Sequence, residues 1–236
     1  MADISIDYID PITELWYAAY YGDVSKLQQL IADPIYKDQI NYKENSQGHS
    51  ALFFACYGAA NPETIRVLLN AGADPFQRDG SGCLPLHYAA NSLDPELIMA
   101  LLEVPNMKDF RLNAAAQTGQ TPLHALFIPA SEVGLTVKSK NADLARCLPL
   151  FLERDNNPLG ALHQKDNNGL SSLMLVKHYN LQSNFHQYVP SMTFGILLKS
   201  VSIPGNMTEL LKSGFYNRIP ILESDKDVVV RMCPRP

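Results

Sequence analysis

Between residues 50 and 103 apolar clusters and polar punctuation alternate in one order, used twice: SALFFACYGAA, NPE, TIRVLLNAGADP, and then LPLHYAANSL, DPE, LIMALLE. Asn61-Pro62-Glu63 and Asp94-Pro95-Glu96 read as helix starts. Each offers a capping side-chain oxygen, a proline at the first helical position where the missing N–H costs nothing, and a carboxylate near the positive end of the helix dipole. Gly72 stands where a left-handed residue ends a helix. The pattern predicts a helix, a tight turn and a second helix, with apolar positions too dense for a hairpin standing alone. Something must cover the remaining apolar side.

The cover is more of the same unit. TELWYAAYYGDVSKLQQLI (13–31), TGQTPLHALF (118–127) continued by NADLARCLPLFLERD (141–155), and DNNGLSSLMLVKHYNL (166–181) repeat the order. The equivalent leucines Leu15, Leu52, Leu86, Leu123 and Leu173 are 37, 34, 37 and 50 residues apart, so the unit is near 33 residues with insertions. The small pairs Ala18 and Ala19, Ala55 and Cys56, Ala89 and Ala90 fall at one position of the unit, as expected where adjacent helices approach closely.

TPLH at 121–124, LPLHYAA at 84–90 and VLLNAGADP at 67–75 resemble the ankyrin repeat, with its T-P-L-H start, paired alanines, paired leucines and G-A-D. The resemblance covers about residues 13–190. It implies an all-α solenoid of helix-turn-helix units with short hairpin fingers, numbering five to six repeats. A segment 1–12 precedes them, a degenerate capping helix pair is expected at 191–214, and a tail occupies 215–236. The chain departs from the family in having Leu84 or Ser171 where Thr121 stands in the fourth copy, and in the polar segment IPASEVGLTVKSKN (128–141) inside that copy, expected as a surface loop or added contact element.

Composition adds exclusions. With 46% hydrophobic and 18% charged residues the chain has enough apolar content for a continuous core, and its net charge of −5 argues against a broad nucleic-acid surface. No stretch reaches the roughly 20 apolar residues of a membrane span, and the acidic start lacks a leader's pattern, so a cytoplasmic monomer is expected. The four cysteines, Cys56, Cys83, Cys147 and Cys233, form no zinc or disulfide spacing. No nucleophile elbow, phosphate loop or metalloprotease motif is present, and the reading calls for no cofactor and no metal. His87 and His124, at the motif's histidine position, are expected to hold backbone rather than to react.

Function is therefore expected on the surface that repetition builds. By the resemblance, partner proteins are held on the concave face of the first helices and at the finger tips. Carried over position by position, this gives Tyr17, Tyr20, Tyr21, Phe54, Tyr57, Tyr88 and Asn91 along the helices, and Arg78 and Phe110 at the fingers. Tyrosines supply large area and a polar tip, which suits them to binding; the same rings could equally pack between repeats. Two functions remain: a non-enzymatic adaptor, including one delivered by a pathogen into a host cell's cytoplasm, or an enzyme or fragment of one whose repeats position a protein substrate.

Overall fold

The structure, a computed structural model, describes residues 11–44, 47–58, 61–105, 114–127, 137–152, 158–178 and 202–206. Helices α1 (Pro11–Tyr20) and α2 (Val24–Ile31) form the first pair, followed by a single turn of helix, α3 (Pro34–Asp38). The second pair is α4 (Ala51–Tyr57) and α5 (Pro62–Asn70), and the third α6 (Pro85–Ser92) and α7 (Pro95–Leu102). Beyond them lie α8 (Pro122–Phe127), α9 (Val137–Leu152), α10 (Pro158–His163) and α11 (Ser172–His178). Among the described residues the only β pairing is an isolated antiparallel bridge between Lys165 and Ser171. The molecule is an all-α solenoid.

The helix starts form as their sequences dictate. Asn61 Oδ1 accepts from the Glu63 N–H at 3.1 Å, and Asp94 Oδ1 from the Glu96 N–H at 2.8 Å, with Pro62 and Pro95 opening the helices behind them. Asp23 and Asp33 cap α2 and α3 in the same way. First helices stack in the order α1, α4, α6, α8, and second helices run α2, α5, α7, α9 behind them. The five leucines that set the repeat step, Leu15, Leu52, Leu86, Leu123 and Leu173, are all buried. Each contributes on the order of 2 kcal/mol by leaving water.

Fingers join the repeats along a second line. Each is closed by one backbone pair, Glu44 N to His49 O, Asp79 N to Cys83 O, Ala116 N to Gln120 O and Asp166 N to Leu170 O. The last three also donate to the finger before them: Gly80 N to Gln47 O at 2.7 Å, Gln117 N to Ser81 O at 2.9 Å and Asn167 N to Thr118 O at 2.9 Å. Gly48, Gly82, Gly119 and Gly169 turn these fingers with φ between 76° and 78°, a region closed to most side chains.

Two features differ from the sequence expectation. α9 begins at Val137, so the last five residues of the 128–141 segment are helix; 128–136 lie outside the described residues. α3 and α10 are additional short helices in the connections. Both open with proline, at Pro34 and Pro158, and are too short to leave a periodic signature. Apart from 202–206, the expected capping pair and tail fall outside the described residues.

Gly58, at the end of α4, shows how closely the stack is drawn. A β-carbon there would collide with the backbone carbonyl of Tyr20 at the end of α1. Gly58→Ala should therefore cost about 1–3 kcal/mol, read as a fall in the denaturant midpoint. Gly205→Ala, where a β-carbon meets nothing within 4 Å, should leave the midpoint unchanged.

Candidate functional site

The residues following the motif's histidine position fall on the stacking side of each first helix, and this decides what the aromatic stripe does. Trp16 on α1 stacks on Phe54 of α4 at 5.7 Å and on Tyr42 of the first finger at 6.4 Å. Tyr20 meets Tyr57 edge-on at 6.1 Å, and Phe53 meets Tyr88 edge-on at 5.5 Å. Such pairs add about 0.5–1.5 kcal/mol each beyond the area they bury. Tyr20, Phe54, Tyr88 and Asn91 are all under a tenth exposed, and Tyr57 is partly buried among Tyr20, His49, Phe54 and Tyr88. Asn91 Nδ2 donates to Ala125 O at 3.3 Å, tying α6 to α8. These side chains bind neighbouring repeats.

A chain of buried donors runs through the same region. Tyr57 Oη donates to His49 Nδ1 at 3.3 Å, His49 Nε2 to Tyr88 Oη at 2.9 Å, and Tyr88 Oη to Asp79 Oδ2 at 2.7 Å. One assignment of protons satisfies all three bonds. Asp79 Oδ1 also takes the backbone N–H groups of Ser81 and Cys83 at 2.8 Å each. Burial alone would raise the Asp79 carboxyl, but the bonds from His49, Tyr88 and the two amides outweigh it and hold the group below its ordinary range. Burial, reinforced by the Asp79 charge, drives the Tyr88 phenol far up. His49 was not singled out from the sequence. Its signal is its place beside the finger glycine Gly48, four residues before Phe53, which takes the motif's histidine position.

His87 and His124 hold backbone. His87 Nδ1 accepts from the Leu84 N–H at 3.0 Å, and its Nε2 donates to Gln120 O of the next finger at 3.2 Å. His124 Nδ1 accepts from Thr121, and its Nε2 donates to Leu170 O at 3.2 Å. Burial pushes His87 from its ordinary 6.5 down to about 4 and lowers His124 as well. Cys56 and Cys147 are buried, and burial raises both thiols, Cys147 to about 12. Neither suits a nucleophile, which needs thiolate.

Two of the expected contact residues, Tyr21 and Arg78, are exposed, and Tyr17 is half-buried. Tyr21 is 45% exposed, and its ring stacks parallel to that of Tyr17 at 6.2 Å. Together with Glu14, Ala18, Asp23 and Lys26 they line an open cleft of about 360 Å³. Arg78 is exposed at a finger, but its guanidinium donates to Gly82 O and to Ala115 O, the latter at 2.9 Å, bracing one finger against the next. Phe110 lies outside the described residues. Among the described residues no group of three His, Cys, Asp or Glu side chains is placed to hold a metal, and no helix is long and apolar enough to cross a membrane.

A stack of helix pairs bound through bridging histidines and laddered fingers defines a repeat solenoid. Residues 52–102 match the family model described as ankyrin repeats (many copies), and this part of the chain carries ankyrin repeats. It is 27% identical over 128 residues to the B-cell lymphoma 3 protein homolog of Mus musculus, covering 54% of this chain and 28% of that protein. It is 39% identical over 66 residues to putative ankyrin repeat protein L92 of Acanthamoeba polyphaga mimivirus, covering 28% and 16% respectively. Against the human transient receptor potential cation channel subfamily A member 1 it is 32% identical over 85 residues, 34% of this chain and 8% of the channel. The aligned part is thus less than a third of each relative's length.

Two measurements check these assignments. Tyr88→Phe leaves Asp79 and His49 short of a partner and should cost about 1–3 kcal/mol, seen in the denaturant midpoint at neutral pH. The histidines give a pH signature. With the folded His87 at about 4 and its unfolded value at 6.5, the unfolded chain binds more protons between those values, so stability is full above pH 6.5 and falls towards pH 4. In His87→Ala the loss over that window should shrink, from a lower starting midpoint.

Proposed function

We propose that the chain is a non-enzymatic protein-recognition module, a cytoplasmic monomer acting as an adaptor. The observation that carries this reading is the division of the aromatic stripe. Buried rings lock the first three repeats into one rigid body, while Tyr17 and Tyr21 are presented at its edge. A preorganised scaffold spares a binder much of the ordering cost of association, and exposed tyrosine is well suited to anchor a partner. The recognition surface runs along the ends of the first helices, through Tyr21, the exposed margin of Tyr57, and Ser92. The lowered His87 and the raised Cys147 speak against the alternative, a reaction centre in the stack. Relatives in a virus, mouse and human share the repeats, so the likeness favours no single source and gives no separate support to a delivered effector.

The test is site-specific photo-crosslinking in cell extract, with the reactive group placed at Tyr21, Tyr57 or Ser92, and at Arg66 on α5 as a comparison. One dominant protein should be captured from the first three positions and not from the fourth. Tyr21→Ala should weaken its capture roughly tenfold, as expected for loss of an anchor, at an unchanged melting temperature. Tyr20→Ala, by contrast, should lower the melting temperature. Capture from Arg66 alone, or chemical turnover of the captured protein, would contradict the proposal.

A further inference from the structure

The cleft beside Tyr21 lies on the side of α1 that faces away from the second repeat. Trp16 and Tyr20 meet α4, whereas Glu14, Tyr17, Ala18 and Tyr21, spaced by three and four residues, line up on the opposite side. In repeat register these four correspond to Ala51, Phe54, Ala55 and Gly58 of α4, the side on which α4 is packed by α1. A surface equivalent to a stacking face is here built from a glutamate and two tyrosine rings. Its composition suits a different occupant from another apolar helix.

Charge identifies that occupant. Asp3, Asp7, Asp10, Glu14 and Asp23 fall in the first 25 residues, which hold no lysine or arginine; the other 211 residues carry 19 acidic and 19 basic side chains. The whole formal charge of −5 therefore belongs to this end of the chain. Two of its carboxylates, Glu14 and Asp23, border the cleft, the small Ala18 is among its lining residues, and the parallel Tyr17 and Tyr21 rings offer aromatic surface. Lys26 bridges to Glu14 at 3.1 Å, with both side chains about two-fifths exposed, a pair that solvent keeps weak and a stronger cation can displace.

We propose that this cleft receives an arginine side chain from a basic segment of the partner protein. The guanidinium lies against the tyrosine rings, where its planar cation is attracted to the aromatic faces, and its N–H groups donate to Glu14 and Asp23 in place of Lys26. The acidic end of the chain steers the segment in and gives the encounter its dependence on salt. This inference rests on the recognition reading and names the partner chemistry at its N-terminal edge.

The test is calorimetric titration of the full chain with a capped Gly-Ser peptide bearing arginines, beside the same peptide with uncharged citrulline in their place. The arginine peptide should bind at low ionic strength and the citrulline peptide should bind at least about tenfold more weakly. Tyr21→Ala and the double variant Glu14→Gln/Asp23→Asn should each reduce affinity about tenfold or more. Asn keeps the cap of α2, and circular dichroism checks that the fold persists. Tyr21→Phe should retain binding, and Lys26→Ala should tighten it by releasing Glu14. Binding that survives Tyr21→Ala while fading with salt would be diffuse attraction and would overturn the proposal, as would tighter arginine binding when residues 1–10 are deleted with no response to either cleft variant. No binding at all would also overturn it, while leaving the recognition reading to stand or fall on crosslinking from Tyr57 and Ser92.

Discussion

The structure depends on how closely successive first helices approach one another. Where Gly58 lies against the Tyr20 carbonyl there is no room for a methyl group, and the small pairs Ala55/Cys56 and Ala89/Ala90 maintain the approach along the stack. At that spacing a side chain on one helix reaches the finger or helix of the next. His87 and His124 then bridge to Gln120 and Leu170, Asn91 reaches Ala125, and each finger bonds to its predecessor. Wider spacing would strand these buried polar groups, each at a cost of about 1–3 kcal/mol. Overpacking at the small residues therefore threatens the bonds as well as the core.

The first repeats solve the joining problem with different chemistry. Phe53 and Trp16 occupy the position held by His87 and His124, and neither can make the histidine's pair of backbone bonds; the buried Trp16 indole N–H finds no hydrogen-bond partner among the described residues. Stacked and edge-on rings take over, and His49, displaced by four residues, recovers a polar link through Tyr88 to Asp79. The buried rings are thus the repeat-to-repeat contact of this end of the molecule. With these rings committed inward, Tyr21 remains exposed, with the half-buried Tyr17 stacked beside it.

Much of this was legible in the sequence because it is periodic. Leu52, Leu86 and Leu123 and the NPE and DPE helix starts follow from spacing and helix chemistry, and the structural part of His87 and His124 from the resemblance of their motif to the ankyrin repeat. The division of the aromatic stripe was not legible, since Tyr20 and Tyr21 are adjacent and alike in sequence, while a turn of about 100° sends one into the stack and the other to its edge. His49 was hidden because its partners, Tyr88 and Asp79, are 39 and 30 residues away, and α3 and α10 because one turn of helix carries no period.

The central claim is that recognition happens at the N-terminal edge while the buried rings serve the fold. Hydrogen–deuterium exchange of the full chain, with and without its crosslink-identified partner, tests this most directly. The account predicts slowed exchange on binding across the end of α1 and the start of α2, around residues 17–26, with exchange in α8 and α11 unchanged. Slowing confined to α8 and α11, with residues 17–26 unaffected, would contradict it.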